Sequence, residues 1–276
     1  LGKNPGFTVI AVLTLALGIG ATTAIVSIVN AVLLNPLPYA QSGQLVSLTE
    51  LRADRTSGPV SGGAFLDWRE HSTSFDGMSV VGGLALNLTG NGQPERIDGL
   101  RVCADYLRLL RQEPLIGRGF LLEEDQIGGE NRVVVLAHGL WLRRFGGDTN
   151  LIGKPLLLDG ESRIVVGILR PGALATENNP DFLVPIVLGS REWHRSRSSH
   201  NLRAIGRLKP GITPERAQTE LAAIKQRLEQ EYPSWKKNWS VAVVPMHEQV
   251  TGNMKPTLLV LLGAVGCVLL VACANV

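Results

Sequence analysis

The sequence predicts an α+β (mixed α/β) domain carried between two transmembrane α-helices, and three features support that prediction. Phe7 to Leu34 runs for 28 residues without an Asp, Glu, Lys, Arg or His. Pro256 to Val276 is uncharged over a further 21 residues. Between these runs, strand-like and helix-like patterns alternate through a charged loop, the pattern of a layered domain that mixes both elements.

The first run, FTVIAVLTLALGIGATTAIVSIVNAVLL, exceeds the roughly 20 apolar residues that cross a bilayer as a helix. A core helix of a soluble domain would carry charge on its outer side, and a cleaved signal peptide has an apolar region of only about 7–15 residues. The run ends at Asn35-Pro36-Leu37-Pro38, where two prolines remove helix donors. Ala16, Gly20 and Ala24 recur every four residues, and Ser27 and Ala31 continue the same side. Small residues at that spacing let two helix backbones approach closely in lipid, so these five predict a helix-packing seam. The second run, PTLLVLLGAVGCVLLVACANV, predicts a second span by length.

The chain has 276 residues and a formal charge of +3; it starts at Leu1 and stops at Val276 inside an apolar run, which predicts a piece of a longer protein. All 24 acidic residues and 25 of the 27 basic ones fall between the runs, so the loop of residues 35–253 is nearly neutral. That balance argues against nucleic acid as a partner. A loop this long crosses the membrane largely regardless of its charge, so charge does not orient it. Cys267 and Cys273 lie in the second run and Cys103 stands alone in the loop, which rules out a disulfide within the domain.

Chemistry-bearing patterns are scarce. No G-x-x-x-x-G-K-[ST] phosphate loop occurs. Glu123, Glu124 and Asp125 lack the alternate ligand spacing of a calcium loop, and His71, His138, His194, His200 and His247 show no zinc-type spacing. Asp67, His71 and Ser72 are close in sequence but would not converge as a triad on one helix. The expectation is no enzyme, no cofactor and no metal. Residues 189–201, with His194, Arg195, Arg197 and His200, read as a basic loop.

Local patterns place the elements. Gln44–Leu51 alternates as a strand, and GGAFLDWREHSTSF opens a helix at Ser61 or Gly62 with Phe65, Trp68 and His71 near one face. Val80–Leu88 and Glu95–Val102 form a hairpin across Thr89-Gly90-Asn91-Gly92. A short helix spans Ala104–Leu110, a strand Arg132–Leu136 and a helix His138–Phe145, stopped by Gly146-Gly147. Lys154–Leu158 and Ser162–Leu169 pair across Asp159-Gly160, and Phe182–Val187 adds a strand. Asn201–Leu208 is a strand; Thr213 caps a helix with Pro214 at its first position, running to about Tyr232 with Ala217, Leu221, Ile224 and Leu228 on its apolar face. Trp239–Val244 closes the domain.

Several blocks resemble one known family. NPGFTVIAVLTLALGIGATTAIVSIVNAVLLNPLPYA is similar to the opening of MacB-like and FtsX-like ABC permeases, especially the large orphan permeases in which the unit is duplicated. The similarity continues through FLDWRE, NLTGNGQPERIDGLRV, IGRGFLLEED, RVVVLAHGLWLRRFGGD, IGRLKPGIT and LLVLLGAVGCVLLVACANV. The resemblance implies a periplasmic core domain with a Porter-like subdomain at residues 37–120 and 196–253, and a small α/β subdomain inserted at 121–195. Residues 1–36 and 254–276 would hold the two membrane helices. It also implies a bacterial cytoplasmic-membrane, multi-pass protein whose large loop is periplasmic. Its expected partners are the lipid bilayer, a cytoplasmic ABC ATPase subunit, a periplasmic adaptor or substrate, and a second copy or pseudo-copy of itself. The family works by mechanotransmission, relaying ATPase movement through long helices to the periplasm. Ala137 departs from the family's Ser, which removes a hydroxyl cap, and residues 174–179 and 189–200 follow the family poorly. A two-span extracytoplasmic sensor shares the same span–domain–span plan and is the alternative from another class.

Overall fold

Two apolar helices and a twelve-stranded sheet stand out among the elements. They come from a computed structural model that describes residues 5–30, 37–52, 54, 56–90, 92–174, 177, 179–189, 199–231, 239–252 and 255–274. The chain divides into two compact units, residues 1–37 with 247–276, and Pro38–Met246.

The first unit holds α1 (Pro5–Val29) and α7 (Lys255–Ala274), which pack along one another. By length and composition, α1 can cross a membrane over Val12–Val29, whereas the apolar stretch of α7, Lys255–Val271, is shorter. Thr22 donates its hydroxyl to the Gly18 carbonyl at 2.7 Å, and Thr23 donates to Ile19 at 2.8 Å. These threonines therefore satisfy themselves within the helix rather than reaching across to another.

In the second unit, β1 (Leu45–Leu51), β2 (Ser57–Gly58) and β3 (Val60–Ser61) precede α2 (Gly62–His71). The long β4 (Phe75–Thr89) and β5 (Glu95–Val102) follow, then α3 (Tyr106–Leu110), β6 (Ile116–Gly117), β7 (Val133–Leu136) and α4 (His138–Phe145). Next come β8 (Pro155–Leu158), β9 (Glu161–Ile168), β10 (Phe182–Pro185), β11 (His200–Leu208), α5 (Pro214–Glu231) and β12 (Ser240–Pro245), with α6 (Met246–Thr251) after them. The main path through the sheet is β12-β1-β11-β4-β5-β10-β7-β9-β6. Pairing is antiparallel except at β5–β10 and β7–β9.

Two cores sit on this sheet. In the first, Phe65 and Trp68 of α2 and Ala217, Leu221, Ile224 and Leu228 of α5 pack on Val46, Leu48, Val80, Ala204 and Val243. Each large side chain so buried contributes about 1.5–3 kcal/mol. In the second, Leu140 and Trp141 of α4 pack on Val134, Leu136, Leu156, Leu158, Val165 and Phe182. Leu88 and Ile97, at the hairpin end of β4 and β5, also belong to this second core. The β4–β5 hairpin is therefore shared between both.

The local expectations map closely onto these elements. Asp159 and Gly160 adopt φ of 50° and 77°, as a two-residue hairpin turn with both centres at positive φ requires. Gly146 ends α4 at φ 60°, and Ala137 provides no side-chain cap to its start. Thr213 Oγ1 accepts from the Arg216 amide at 3.3 Å. Cys103 is free and buried, and burial pushes its thiol up to about 12.

Some positions differ from expectation. His71 is exposed, its Nδ1 donating to the Asp67 carbonyl at 2.9 Å, so of the three Phe65 and Trp68 alone face the core. Ser72 instead donates to Glu220, and no triad forms. β11 begins at His200, inside the stretch read as a loop, and β4 begins five residues early at Phe75. His194, Arg195, Arg197, Asn91, Ala31 and Tyr232 lie outside the described residues.

Candidate functional site

The first long strand and the last strand of the Pro38–Met246 unit mark where the chain enters and leaves it. Chain order makes β1 the first long strand after α1, and β12 the last strand before α6 and α7. These two strands pair antiparallel, from Val46 opposite Pro245 to Leu51 opposite Ser240. Antiparallel pairing puts the start of β1 beside the end of β12, so the chain enters and leaves the domain at one end of one strand pair.

Both strands are anchored on their other sides. β1 pairs with β11 from Leu45 opposite Arg207 to Leu48 opposite Ala204. β12 receives a contact from α5, where Gln218 Oε1 accepts the Val243 amide at 3.2 Å. α5 is fixed in turn through Glu220, which accepts from the Ser72 hydroxyl at 2.8 Å, the Thr73 amide and hydroxyl at 2.7 Å, and the Ser74 amide at 3.0 Å. Burial works against the charged carboxylate, but these donors outweigh it and hold Glu220 down at about 2.

The centre of the arrangement is Arg207. Only 2% of this residue is exposed, and its guanidinium grips backbone. Nε donates to the Leu109 carbonyl at 2.7 Å, Nη1 to the Gln41 carbonyl at 3.0 Å, and Nη2 to the Ala40 carbonyl at 3.2 Å. Nη1 also meets Gln44 Oε1 at 3.4 Å. Burial, with a smaller contribution from the nearby Arg111, lowers its pKa from the usual arginine value. A single side chain thus joins the entry segment, the sheet and the C-terminal end of α3. Gln41 sits at φ 51°, a left-handed conformation that costs a non-glycine residue about 1–2 kcal/mol. The sequence offered no local sign of this clamp, since an Arg in a strand most often points to water.

The seam predicted on α1 has a defined place. The less exposed positions of that helix are Gly18, Thr22, Ile25 and Val29, which share one face at helical spacing. On α7 the corresponding positions are Leu258, Leu262, Val265, Gly266 and Leu269, so these are the faces through which the two helices meet. Ala16, Gly20, Ala24 and Ser27 are exposed and fall on the opposite face of α1. A Cβ added at Gly20 would meet nothing within 4 Å. The four share a face, and α7 is not what that face meets.

Among the described residues no three His, Cys, Asp or Glu side chains converge as a metal site.

The Pro38–Met246 unit is thus a mixed α/β sheet domain whose first long strand pairs with its last, in a chain that carries an apolar helix long enough to cross a membrane. The model of the MacB-like periplasmic core domain matches residues 8–224. The chain belongs to that family, whose members are permease components of ABC-type transporters with a periplasmic loop on a membrane protein. Three solved structures share the fold. A domain of a protein described as a permease from Porphyromonas gingivalis is 16% identical with a TM-score of 0.59, over 75% of this chain and 91% of that one. The periplasmic region of MacB from Actinobacillus actinomycetemcomitans is 13% identical with a TM-score of 0.54, over 78% and 94%. The extracellular domain of the noncanonic ABC-type transporter YknZ from Gram-positive bacteria is 11% identical with a TM-score of 0.52, over 72% and 99%. No curated protein sequence matches the chain.

Proposed function

We propose that the chain is the permease segment of a MacB/FtsX-like ABC system and that it passes movement of its membrane helices to the periplasmic domain through the β1–β12 pair. The observation that carries this reading is the pairing of the first and last strands of the domain along six residue pairs, from Val46–Pro245 to Leu51–Ser240. Displacement of either helix pulls on one of two strands locked to each other, and β11, α5 and the Arg207 clamp spread that pull into the first core. Antiparallel pairing holds the two strands in one register, so displacement of one along the ladder carries the other with it.

In this reading both α1 and α7 span the cytoplasmic membrane, and an ABC ATPase subunit in the cytoplasm supplies the movement. The Porter-like part comprises residues 37–120 and 196–253, with 121–195 inserted. The face bearing Ala16, Gly20, Ala24 and Ser27 packs a further helix, from a second copy or from another part of the transporter. The work done is export, or movement of an envelope substrate, without chemistry in this chain.

The test is a four-glycine insertion between Leu37 and Pro38, ahead of every contact that Arg207 makes. A flexible insert absorbs displacement without altering the folded domain. Transport by the assembled complex is expected to fall at least tenfold, while ATP hydrolysis and the thermal unfolding of the domain stay unchanged. Undiminished transport would overturn the coupling route.

A further inference from the structure

Beside α3 lies a cavity of about 580 Å³, within the size range of small-molecule sites. Its floor is apolar: Leu107 is buried, and Phe120 and Pro114 are half-buried. Its rim carries Arg108, Arg111 and Arg170, all exposed, against one lining carboxylate, Glu113. Arg108 is paired at 3.5 Å with Asp105. Neither Arg111 nor Arg170 has an ion-pair partner among the described residues.

Two neighbouring cavities pair most of their own cations with carboxylates. In the cavity near α4 and β8, Lys154 lies 3.7 Å from Asp148, and Arg144 bonds the Gln93 carbonyl and lies 4.0 Å from Glu95. In the cavity bounded by α4 and residues 169–174, which Arg170 also lines, Arg143 is taken by Glu95 at 2.9 Å and Asp181 at 3.2 Å. Favourable contact with the carbonyl end of a helix accounts for arginines at the end of α3. It accounts for neither Arg170, which comes from beyond β9, nor the apolar floor beneath.

Arg111 adds a backbone observation. It occupies the residue after α3 at φ 55°, the position where glycine is usual and a side chain costs about 1–2 kcal/mol. Its charge also lies close enough to Arg207 to disfavour that neighbour's protonation, after the larger effect of burial. A side chain kept in an unfavourable conformation among like charges points to a use at that place.

We propose that this cavity binds a small amphipathic anion, with a carboxylate or phosphate head on Arg108, Arg111 and Arg170 and a short apolar tail on Leu107 and Phe120. Guanidinium groups match the planar oxygens of such heads in paired hydrogen bonds, and one-sign charge in a concave wall concentrates the anion. A free fatty-acid-like solute and an anionic lipid headgroup share this chemistry. The inference stands apart from the coupling route, because it needs only the domain's own residues.

The experiment titrates the full chain, in nanodiscs of neutral lipid, with octanoate by calorimetry. One saturable site per chain is expected. Octanol, the tail alone, and inorganic phosphate, a head alone, are expected to bind at least tenfold more weakly. The double variant Arg111→Gln/Arg170→Gln should lose at least tenfold in octanoate affinity with its thermal unfolding unchanged, and Phe120→Ala should lose octanoate but not phosphate. Arg227→Gln, an exposed charge on α5, is the control and should bind as the parent does. Dihexanoyl phosphatidic acid, a monomeric short-chain lipid, separates the sources: tighter binding than octanoate assigns a lipid headgroup, weaker binding a free acid, and equal binding a site that reads head and tail alone. Absence of an octanoate site, undiminished binding in the double variant, or phosphate binding as tight as octanoate would overturn the proposal.

Discussion

The guanidinium of Arg207 donates to the carbonyl of Gln41 at 3.0 Å, joining β11 to the residues through which the chain enters the domain. Beside this bond and its companions to Ala40 and Leu109, the Asp76 carboxylate adds only a lesser favourable charge to the buried cation. The charge is solvated by peptide oxygens, so the chain path near residue 40 is specified by where those oxygens must be.

Arg207→Met keeps much of the volume and removes the donors to the Leu109 and Ala40 carbonyls, while the Gln41 carbonyl keeps the Gln44 amide. Each unsatisfied buried group costs about 1–3 kcal/mol. A loss of roughly 2–4 kcal/mol is expected, read as a lower urea midpoint for the domain by tryptophan fluorescence of the full chain. Arg207→Lys should recover part of it by reaching one or two of the oxygens. A midpoint in Arg207→Met within error of the parent would show the clamp to be dispensable.

Acid should act on Glu220. Its carboxylate is held at about 2 in the folded domain against an ordinary value of 4.5, so its contribution is present above the unfolded value and is lost as pH falls through the folded one. Glu220→Gln is therefore expected to be less stable than the parent at pH 7, by about 1 kcal/mol once screening at this partly exposed site is allowed for. The two proteins should converge between about pH 4.5 and pH 2. A gap that persists unchanged at the acid end would assign the effect to packing rather than charge.

Parts of this fold were legible because their chemistry is local. Asp159-Gly160 names its turn, Thr213-Pro214 names a helix start, and Ala217, Leu221, Ile224 and Leu228 name a buried face without knowledge of any partner. The pairing of β1 with β12 was not legible, because nothing in QLVSLTEL or in the strand after Trp239 tells either which strand it will meet. Nor was the parallel placement of β10 against β5, or the short α6. Arg207 and Glu220 were missed for the same reason: their partners lie 98 to 167 residues away in sequence. On α1 the small-residue spacing could be seen, but not which side α7 would take.

The β5–β10 junction depends on one missing side chain. Gly99 lies opposite Phe182 in the parallel pair, and a Cβ at Gly99 would run into the Phe182 ring. Phe182 is fully buried in the second core. Gly99→Ala is expected to cost about 1–3 kcal/mol, the range for overpacking a tight core. The double variant Gly99→Ala/Phe182→Leu should regain part of that loss by freeing the space. Equal stability of Gly99→Ala and the parent, measured by the same urea midpoint, would show that the ring moves without cost.

The remaining prediction concerns the open face of α1. Gly18, Thr22, Ile25 and Val29 meet α7, while Ala16, Gly20, Ala24 and Ser27 lie on the far side with open space over Gly20. If a further helix seats there, Gly20→Ile holds it off by the width of a branched side chain. Helix contacts of this kind in membranes are worth roughly 1–2 kcal/mol, enough to shift an assembly equilibrium about tenfold. Insertion should survive, because Ile is more apolar than Gly. Two cross-links separate the faces, with Cys267 and Cys273 first replaced by Ala. A cysteine pair at Ile25 and Val265 reports α1 against α7 and should form equally in the parent and in Gly20→Ile. A cysteine at Ala24 reports the far face through links to a second copy or another subunit, and these should fall about tenfold in Gly20→Ile, together with transport. Val26→Phe, off the seam, should leave both links intact. Loss of the Ile25–Val265 link in Gly20→Ile would mean that the mutation disturbs the helix pair itself, and retention of the Ala24 link together with transport would return the small residues to mere tolerance.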